Sequence, residues 1–399
     1  MVWVTGIGLV SPHGDDANLA FAALMRGESA VRQVFPDLPK PVAAATVAFD
    51  ESRWFSKLQL AGVDRVSQLA VAAADLAVKD AALGSDLDPE RIGVFVGCGM
   101  GGAAALEAAY RSTGGRVPPL TIPAFMPNAP AAHVAMRHRA QGPVLTYSVA
   151  CASSGVAIAE AAKAVQRDEV DVAIVGGSEA LIVPGVILAW QAMQTLAGFA
   201  PGEATTACRP FAADRSGFVL GEGAAFMVLE SAERAARRGA RAYAELAGWG
   251  VSCDAAHLSK PDAAGQARAL RSALRTAGLT PAEVGYCNAH GTATKIGDVV
   301  ESEALRTVWG DAIGQLRVSS TKALHGHLLG AAGALEAVIT VLALHRRQLP
   351  PNAHCHAADA ACLLNLVLTP GEAAPGLQAA ISSSFAFGGT NAALVFKRC

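Results

Sequence analysis

A cysteine and two histidines, far apart in the chain, are the residues whose types are best suited to chemistry. Cys151 stands in VACASSG, His290 in NAHGTAT and His327 in ALHGH. A cysteine thiolate is a strong nucleophile, and an imidazole can transfer a proton or donate a hydrogen bond to a developing anion. Each residue has a glycine or alanine neighbour, which leaves room for a substrate. Together they predict one catalytic site rather than a buried structural thiol and two structural histidines.

The stretch 144–164 predicts how the cysteine is presented. Residues 144–149 (VLTYSV) have the β-branched and aromatic character of a buried strand, and a helix of small residues follows. Serine is a favoured helix cap, so we expect Ser153 and Ser154 to open that helix. Cys151 then lies at the N-terminal end of the helix, where the helix dipole favours a thiolate.

Both histidines are predicted at the carboxyl ends of strands. His290 follows a strand that ends near Cys287, and His327 follows a strand at 316–320. Ligands of α/β proteins bind outside the carboxyl ends of parallel strands. The pattern therefore predicts that the histidines face a binding site.

The chain contains an internal repeat. The strand and glycine turn at 91–102 (RIGVFVGCGMGG) has a counterpart at 284–297, and the region around Cys151 has one at 316–342. Strands alternate with helices, which predicts mostly parallel sheets with helices on their faces. We therefore predict a duplicated α/β fold in which two sheets enclose alanine-rich helices, divided near residue 240 into 1–240 and 241–399.

Composition excludes several classes of function. The 399 residues are 52% hydrophobic and 17% charged with a net charge of −2, so nothing indicates binding to nucleic acid or to an anionic membrane. Eight cysteines are scattered without metal-site or disulfide spacing, which indicates a reducing, cytoplasmic environment. The N-terminus begins as a strand without a basic segment, so we expect no signal peptide. The cluster GCGMGG at 97–102 lacks the lysine of a phosphate-binding loop.

Four motifs, in order, resemble the β-ketoacyl-acyl-carrier-protein synthases, the elongating condensing enzymes of the thiolase superfamily. They are VACASSG at 149–155, NAHGTATKIGD at 288–298, SSTKALHGHLLGAAGALE at 319–336 and SFAFGGTN at 384–391. The resemblance runs from residue 2 to the C-terminus. It implies a thiolase-like five-layer α/β/α/β/α sandwich, usually dimeric, with the nucleophile in the first half and two catalytic histidines in the second.

The resemblance also implies roles for individual residues. Cys151 would carry the acyl chain as a thioester, and the backbone N–H groups of Cys151 and Phe387 would bind the oxyanion. His290 and His327 would stabilise the enolate that forms when a malonyl group loses carbon dioxide. The supporting residues would be Lys322 and Glu336, and the residues of the gate and acyl pocket would be Phe387, Met100, Phe125 and Met126.

The implied substrates are carried on the phosphopantetheine of an acyl carrier protein, with no cofactor, in fatty-acid or type II polyketide assembly, polyenes included. The implied second partner is an identical or a related subunit. A helix at 57–69, with Arg53, Lys57 and Arg65 nearby, would form a weakly basic docking surface for the acidic carrier. Metal binding by His325 and His327, or by the HCH stretch at 354–356, would need further ligands, so we expect no metal. Ala386 stands where the family commonly has a glycine.

Two other functions are weighed against condensation. A chain-length-factor-like partner of a heterodimer shapes the cavity without catalysing, but such partners typically lack the cysteine that stands at position 151. A degradative thiolase requires a second cysteine in the C-terminal half, and FAFGG at 385–389 contains none. An initiating synthase would pair its cysteine with histidine and asparagine, and the motif around His327 disfavours this.

Overall fold

The computed structural model describes residues 1–84, 87–112 and 114–399. Its β-strands are β1 (Val2–Val10), β2 (Val31–Val34), β3 (Val42–Ala45), β4 (Ile92–Gly97), β5 (Val144–Tyr147), β6 (Val172–Glu179), β7 (Leu220–Gly221), β8 (Gly223–Ser231), β9 (Ala244–Cys253), β10 (Tyr286–Asn288), β11 (Arg317–Ser319), β12 (Gln348–Leu349), β13 (Asn365–Leu366), β14 (Glu372–Ala373), β15 (Ala379–Phe385) and β16 (Thr390–Lys397). Its α-helices are α1 (Ala17–Met25), α2 (Arg65–Ala81), α3 (Ala103–Arg111), α4 (Thr121–Phe125), α5 (Ala129–His138), α6 (Ser153–Gln166), α7 (Pro184–Ala192), α8 (Ala232–Arg237), α9 (Ala263–Ala277), α10 (Gly297–Trp309), α11 (Lys322–His325) and α12 (Ala332–Arg346).

The main strands form two halves with the same connectivity. Within the described residues, one half has the strand order β9-β16-β15-β10-β11-β13 and the other has the order β1-β8-β6-β4-β5. In each half the first three strands are antiparallel and the next ones are parallel. A short antiparallel pairing of β1 with β9 joins the halves. This correspondence confirms the duplication that the sequence predicts.

Five layers follow from the helix packing. Helix α2 packs on β1 and β8, and α9 packs on β9 and β16, so these two helices cover the outer faces. Helices α6 and α12 contact each other and strands of both halves, and they form the central layer. Alanine dominates the central helices because two sheets and two helices must approach closely there.

The outer helices approach their strands in equivalent ways. A Cβ atom at Gly8 in β1 would lie 2.3 Å from the carbonyl oxygen of Ala73 in α2. A Cβ atom at Gly250 in β9 would lie 2.0 Å from the carbonyl oxygen of Ala269 in α9. Glycine is required at both positions because the helix backbone rests directly on the strand.

Two sequence predictions about the elements are wrong. Strand β5 is not buried: Val144 is 38% and Leu145 45% exposed, since β5 pairs only with β4 and forms the edge of the sheet. The helix predicted at 57–69 begins only at Arg65, where Asp64 caps it, and 57–62 is a series of turns. Arg65 pairs with Glu222 at 2.7 Å, so this cation is already neutralised.

The apolar segment 329–346, which contains α12, is long and hydrophobic enough to cross a membrane, with a mean hydropathy of 1.4. However, 89% of the segment is buried inside the protein. It is therefore the core helix of the central layer, and its composition reflects burial between two sheets.

Candidate active site

Cys151 lies in a tight turn between β5 and α6, at the predicted N-terminal end of the helix. Ala150 has a φ of 50°, a left-handed conformation that costs energy for a residue with a Cβ atom. Ser153 stabilises the turn, because its hydroxyl donates to the carbonyl of Ala150 at 2.6 Å and accepts from the N–H of Val149 at 2.9 Å. Helix α6 begins at Ser153, as predicted, but its cap position is Ala152, which makes no side-chain cap, so serine does not cap the helix.

Ser154 joins the two central helices. Its hydroxyl accepts a hydrogen bond of 2.8 Å from the N–H of Ala334 at the start of α12. The helix that follows the thiol is thereby fixed against the helix that follows His327, although the two come from different halves of the chain.

His327 is held by a strand of the other half and faces the thiol. Its N–H donates to Val219 at 2.7 Å, and its carbonyl accepts from the N–H of Gly221 at 2.9 Å. With the backbone fixed on both sides, its Nε2 lies 3.0 Å from the Sγ of Cys151. The ring also meets Phe218 edge-on at a centroid distance of 5.8 Å.

His290 completes the site from the end of β10. Its N–H and that of Gly291 donate to the two carboxylate oxygens of Glu301, at 2.8 and 2.7 Å. The rings of His290 and His327 are 5.3 Å apart and nearly perpendicular. The sulfur and one nitrogen from each ring all lie within 4.8 Å of one another. The three residues that the sequence singled out therefore converge on one space.

A buried ion pair stands behind the histidines. The ammonium of Lys322 is paired with the carboxylate of Glu336, and both side chains are fully buried. Glu336 lies on α12, and its carbonyl also accepts from Thr340 at 2.7 Å. The ammonium of Lys322 is close enough to the site for its positive charge to act on the Cys151 thiol.

Burial controls the ionisation of the site. It lowers the pKa of His290 and of His327 well below the ordinary value of 6.5, and the charge of Lys322 lowers both further. Burial likewise raises the pKa of the Cys151 thiol to about 12, while Lys322 opposes the rise. The resting site thus contains a neutral thiol and two neutral imidazoles, which can donate hydrogen bonds to an anion.

Phe387 lies in the segment between β15 and β16, at the mouth of the site. Its ring is 37% exposed and lies 6.1 Å from the ring of Trp190. Its backbone N–H, with that of Cys151, lies close enough to Sγ to lower the pKa of the thiol. Both predicted oxyanion donors therefore surround the sulfur. Ala386 adopts no left-handed conformation, and its side chain packs against the cluster formed by Ala152 and Val156.

A cavity of about 280 Å³ leads from the sulfur and both imidazoles to the surface. Trp190, Phe218, Leu329 and Phe387 are among the apolar groups that line it. Lys260 and Lys295 lie towards its exposed side. The cavity therefore connects Cys151, His290 and His327 with side chains at the protein surface.

Three residues predicted for the acyl pocket lie outside this cavity. Met100, Phe125 and Met126 do not line this cavity in the described structure, and Met100 and Met126 are 50% and 40% exposed. Their role in holding the acyl chain stays a prediction. The exposure of both methionines places them at the molecular surface, on the segments around α3 and α4.

The sequence analysis missed two contributors. Glu301 holds the backbone of the His290 loop, and it also accepts from the Ser383 hydroxyl at 3.0 Å. A signal was present: Asp298 and Glu301 are spaced three apart, on one face of α10, directly after the histidine motif. Trp190 contacts both Phe218 and Phe387, and no motif indicated it.

Two histidines of the stretches considered for a metal site, His325 and His354, have structural partners. His325 is buried, with Nε2 2.9 Å from the Thr321 hydroxyl and Nδ1 2.7 Å from the carbonyl of Gly326. Burial lowers its pKa to about 3. His354 Nδ1 lies 3.2 Å from the carbonyl of Cys208. Among the described residues, the only group of three or more histidine, cysteine or carboxylate side chains close enough to share a metal ion is Cys151, His290 and His327.

Comparisons with known proteins agree with this geometry. The family described as "Beta-ketoacyl synthase, N-terminal domain" matches residues 1–235, and "Beta-ketoacyl synthase, C-terminal domain" matches 243–356. The chain is 38% identical to "3-oxoacyl-[acyl-carrier-protein] synthase 2" of Staphylococcus aureus, over 100% of this chain and 98% of the relative. The two matches end at 235 and begin at 243, so the exact boundary between the halves, predicted near residue 240, stays a prediction.

Ketosynthases are also among the solved structures that resemble this chain. The ishigamide ketosynthase/chain length factor has a TM-score of 0.92 and 32% identity. A type II PKS acyl-carrier protein in complex with its ketosynthase, bound to the hexaketide, contains a chain with a TM-score of 0.92 and 29% identity. Each match covers 100% of this chain and 99% of the other. The thiolase-like α/β fold is thereby confirmed, and this chain belongs to the β-ketoacyl synthase family.

Proposed function

We propose that this protein is an elongating β-ketoacyl-acyl-carrier-protein synthase that performs a decarboxylative Claisen condensation. The observation that carries the proposal is the convergence of the Cys151 thiol with the His290 and His327 imidazoles within 4.8 Å. These groups lie at the inner end of a cavity that opens to solvent. A thioester on a flexible arm can reach such a site while its carrier stays outside.

The first step transfers an acyl group to the enzyme. The Cys151 sulfur attacks the thioester carbonyl of an acyl-carrier, and the oxyanion accepts hydrogen bonds from the N–H groups of Cys151 and Phe387. The C–S bond to the arm then breaks, and the thiol proton ends on the departing pantetheine thiolate. Because a thiol with a raised pKa is protonated at rest, this proton must leave as the new C–S bond forms.

The second step generates the carbon nucleophile. A malonyl-carrier enters, and its C–C bond to the carboxylate breaks, which releases carbon dioxide and leaves an enolate on the thioester oxygen. His290 and His327 stabilise this oxygen as neutral hydrogen-bond donors. The lowered pKa of both imidazoles supports this role, because each ring is then neutral and carries one N–H that can donate to the enolate oxygen.

The third step extends the chain by two carbons. The enolate carbon attacks the acyl-Cys151 carbonyl, and the same two N–H groups bind the second oxyanion. Collapse of this intermediate expels the Cys151 thiolate, which regains a proton from solvent, and releases a β-ketoacyl-carrier. No step requires a bound metal or cofactor, because the thioesters and the leaving carbon dioxide supply the driving force.

Two kinds of partner are part of the proposal. Relatives with the same fold are described in complex with an acyl-carrier protein and with a chain length factor. Here β5 pairs only with β4 and leaves the outer edge of the described sheet open, with Val144 and Leu145 exposed, which suits pairing with a second subunit, identical or related. We place the reaction in the cytoplasm, in fatty-acid or type II polyketide assembly, since all eight cysteines are free thiols.

The alternative of a non-catalytic chain-length partner is weaker. Such a partner needs no nucleophile, whereas here the whole constellation of thiol, donors and imidazoles is assembled. A degradative thiolase is also disfavoured, because the residues that face the thiol are two histidines and no second cysteine lines the described cavity.

The test is reconstitution with purified acyl-carrier and malonyl-carrier, followed by mass spectrometry. We expect an acyl adduct on Cys151 and a β-ketoacyl-carrier two carbons longer than the primer. Cys151→Ala is the matched control and should give neither species. A wild-type protein that forms no adduct and no product with any primer, alone or with a related subunit, would contradict the proposal.

A further inference from the structure

Glu179 is a buried acid that the proposed reaction does not use. It ends β6, its side chain has no solvent exposure, and no basic side chain among the described residues pairs with it. Three of its partners are backbone donors: one oxygen accepts from the N–H of Gly99 at 2.8 Å and of Gly330 at 3.0 Å, and the other accepts from Met100 at 3.2 Å. The thiol of Cys98 is the fourth partner, with its sulfur 3.9 Å from the carboxylate. A buried carboxylate costs several kcal/mol, so this arrangement needs a reason.

The carboxylate connects two segments that flank the nucleophile. Gly99 belongs to the loop after β4, and its carbonyl accepts from the hydroxyl of Ser148 at 3.0 Å, three residues before Cys151. Gly330 follows His327 by three residues in the C-terminal half. The Glu179 side chain therefore bridges the approach to the thiol and the segment that carries one catalytic imidazole.

Both glycines are required for this bridge. A Cβ atom at Gly99 would lie 2.6 Å from the carboxylate oxygen, and one at Gly330 would lie 2.5 Å from it. Between His327 and Gly330, Leu329 adopts a left-handed φ of 47°, a strained conformation for a leucine. The side chain of Leu329 also lines the active-site cavity. The contact between Glu179 and Gly330 holds this strained segment in place.

From these contacts we infer that Glu179 is a positioning residue that sets the His327 segment against Cys151. The inference rests on the proposed function and deepens it. The residue at the end of β6 would thus fix the distance between the His327 imidazole of the C-terminal half and the Cys151 thiol of the N-terminal half. Its negative charge also acts on Cys151, where it raises the pKa of the thiol.

Glu179→Gln tests the inference with little change in volume. The amide has one oxygen in place of two, so its N–H₂ group must face either Met100 or the pair Gly99 and Gly330, and that contact is lost. The contacts that remain are weaker, because the acceptor no longer carries a charge. We expect malonyl decarboxylation to fall by about 10- to 100-fold, because small displacements of a catalytic group cost that much. Acyl transfer to Cys151 should fall less, since the oxyanion donors do not depend on Glu179.

A second readout separates positioning from mere folding. Removing the negative charge should move the pH profile of Cys151 alkylation by iodoacetamide to lower pH. The other ionisable groups that act on Cys151 are His290, His327 and Lys322, and the substitution leaves all of them in place. Gly330→Ala should reduce decarboxylation in the same way but leave the charge, and hence the alkylation profile, nearer to that of the wild type.

The matched control is Glu230→Gln. Glu230 is equally buried and lies opposite Val172, at the other end of the strand that Glu179 ends. It differs from Glu179 in that it pairs with Arg238 at 2.6 Å, far from Cys151 in the fold. The control should leave both readouts at wild-type values in folded protein. Wild-type decarboxylation and alkylation in Glu179→Gln would overturn the inference, as would an equal loss of acyl transfer, decarboxylation and alkylation. If the wild type itself condenses nothing, the proposed function fails, while the alkylation profile still tests Glu179.

Discussion

The two halves of the chain use the same strand ends for different purposes. After β5 the N-terminal half places Cys151, and after the equivalent β11 the C-terminal half places His327. After β4 stands a glycine loop, whereas after β10 stands His290. The last residue of β6 is the buried Glu179, whereas the exposed Phe387 lies two residues after the end of β15.

The comparison teaches that a duplicated fold can divide one reaction between its copies. In the proposed reaction, the N-terminal half provides the covalent carrier and one oxyanion donor, and the C-terminal half provides the second oxyanion donor and both imidazoles. Contacts that cross between the halves hold the parts together, such as the Ser154 hydroxyl with Ala334 and the backbone of His327 with Val219. The predictions below separate the contributions of the two halves.

The largest effect is expected in the N-terminal half. Cys151→Ser should reduce condensation by at least roughly 10⁴-fold, because a serine hydroxyl in this buried site has no adjacent base strong enough to ionise it. Mass spectrometry of the variant after incubation with acyl-carrier measures the adduct directly. A variant that condenses near the wild-type rate would show that another residue is the nucleophile.

Substitutions of the two histidines in the C-terminal half should slow a different step of the reaction. His290→Ala and His327→Ala should each slow malonyl decarboxylation by about 10² to 10³-fold, since each removes one donor to the enolate oxygen. The acyl adduct on Cys151 should still form. Carbon dioxide release and adduct formation are measured in parallel on the same preparations, and normal decarboxylation in either variant would remove that histidine from the role.

Stability should depend strongly on the ion pair of the C-terminal half. Lys322→Ala leaves the Glu336 carboxylate buried without its cation, which should lower the free energy of unfolding by about 3–5 kcal/mol. Chemical denaturation of the variant measures this loss. Glu28→Ala is the control, because it removes an ion pair with Arg26 in which both side chains are more than half exposed, and it should change little. Equal losses in both variants would argue against a special role for the buried pair.

The smallest expected effect concerns the charge of the two histidine rings, which should not change with pH. Because the pKa of His290 and of His327 is lowered, both rings should stay neutral when the pH falls from 8 to 6, across the ordinary value of 6.5. Nitrogen NMR of histidine-labelled protein, assigned with the two alanine variants, measures the charge of each ring. A charged His327 ring at pH 7 would indicate an imidazolium–thiolate pair with Cys151.

The catalytic residues and the repeat could be predicted from the sequence because they lie in short, local patterns. Cys151, His290 and His327 each follow a strand and precede a helix, and strand ends meet at one edge of a sheet. Other features could not be predicted from the sequence, because they depend on which strand lies at the edge of the sheet and on contacts between segments that are distant in the chain. The exposure of β5, the hold of Glu301 on the His290 loop and the bridge made by Glu179 all belong to this second group.

The central claim is that a thiol from one half and two imidazoles from the other act on one substrate. The most direct test is a crystal structure of the enzyme acylated on Cys151 with a malonyl-pantetheine analogue that cannot lose carbon dioxide. We predict that the carbonyl oxygen of the analogue lies about 3 Å from a nitrogen of His290 and from one of His327. Its central carbon should face the acyl-Cys151 carbonyl. An analogue whose oxygen contacts neither imidazole, or that lies in a compartment closed off from Cys151, would contradict the account.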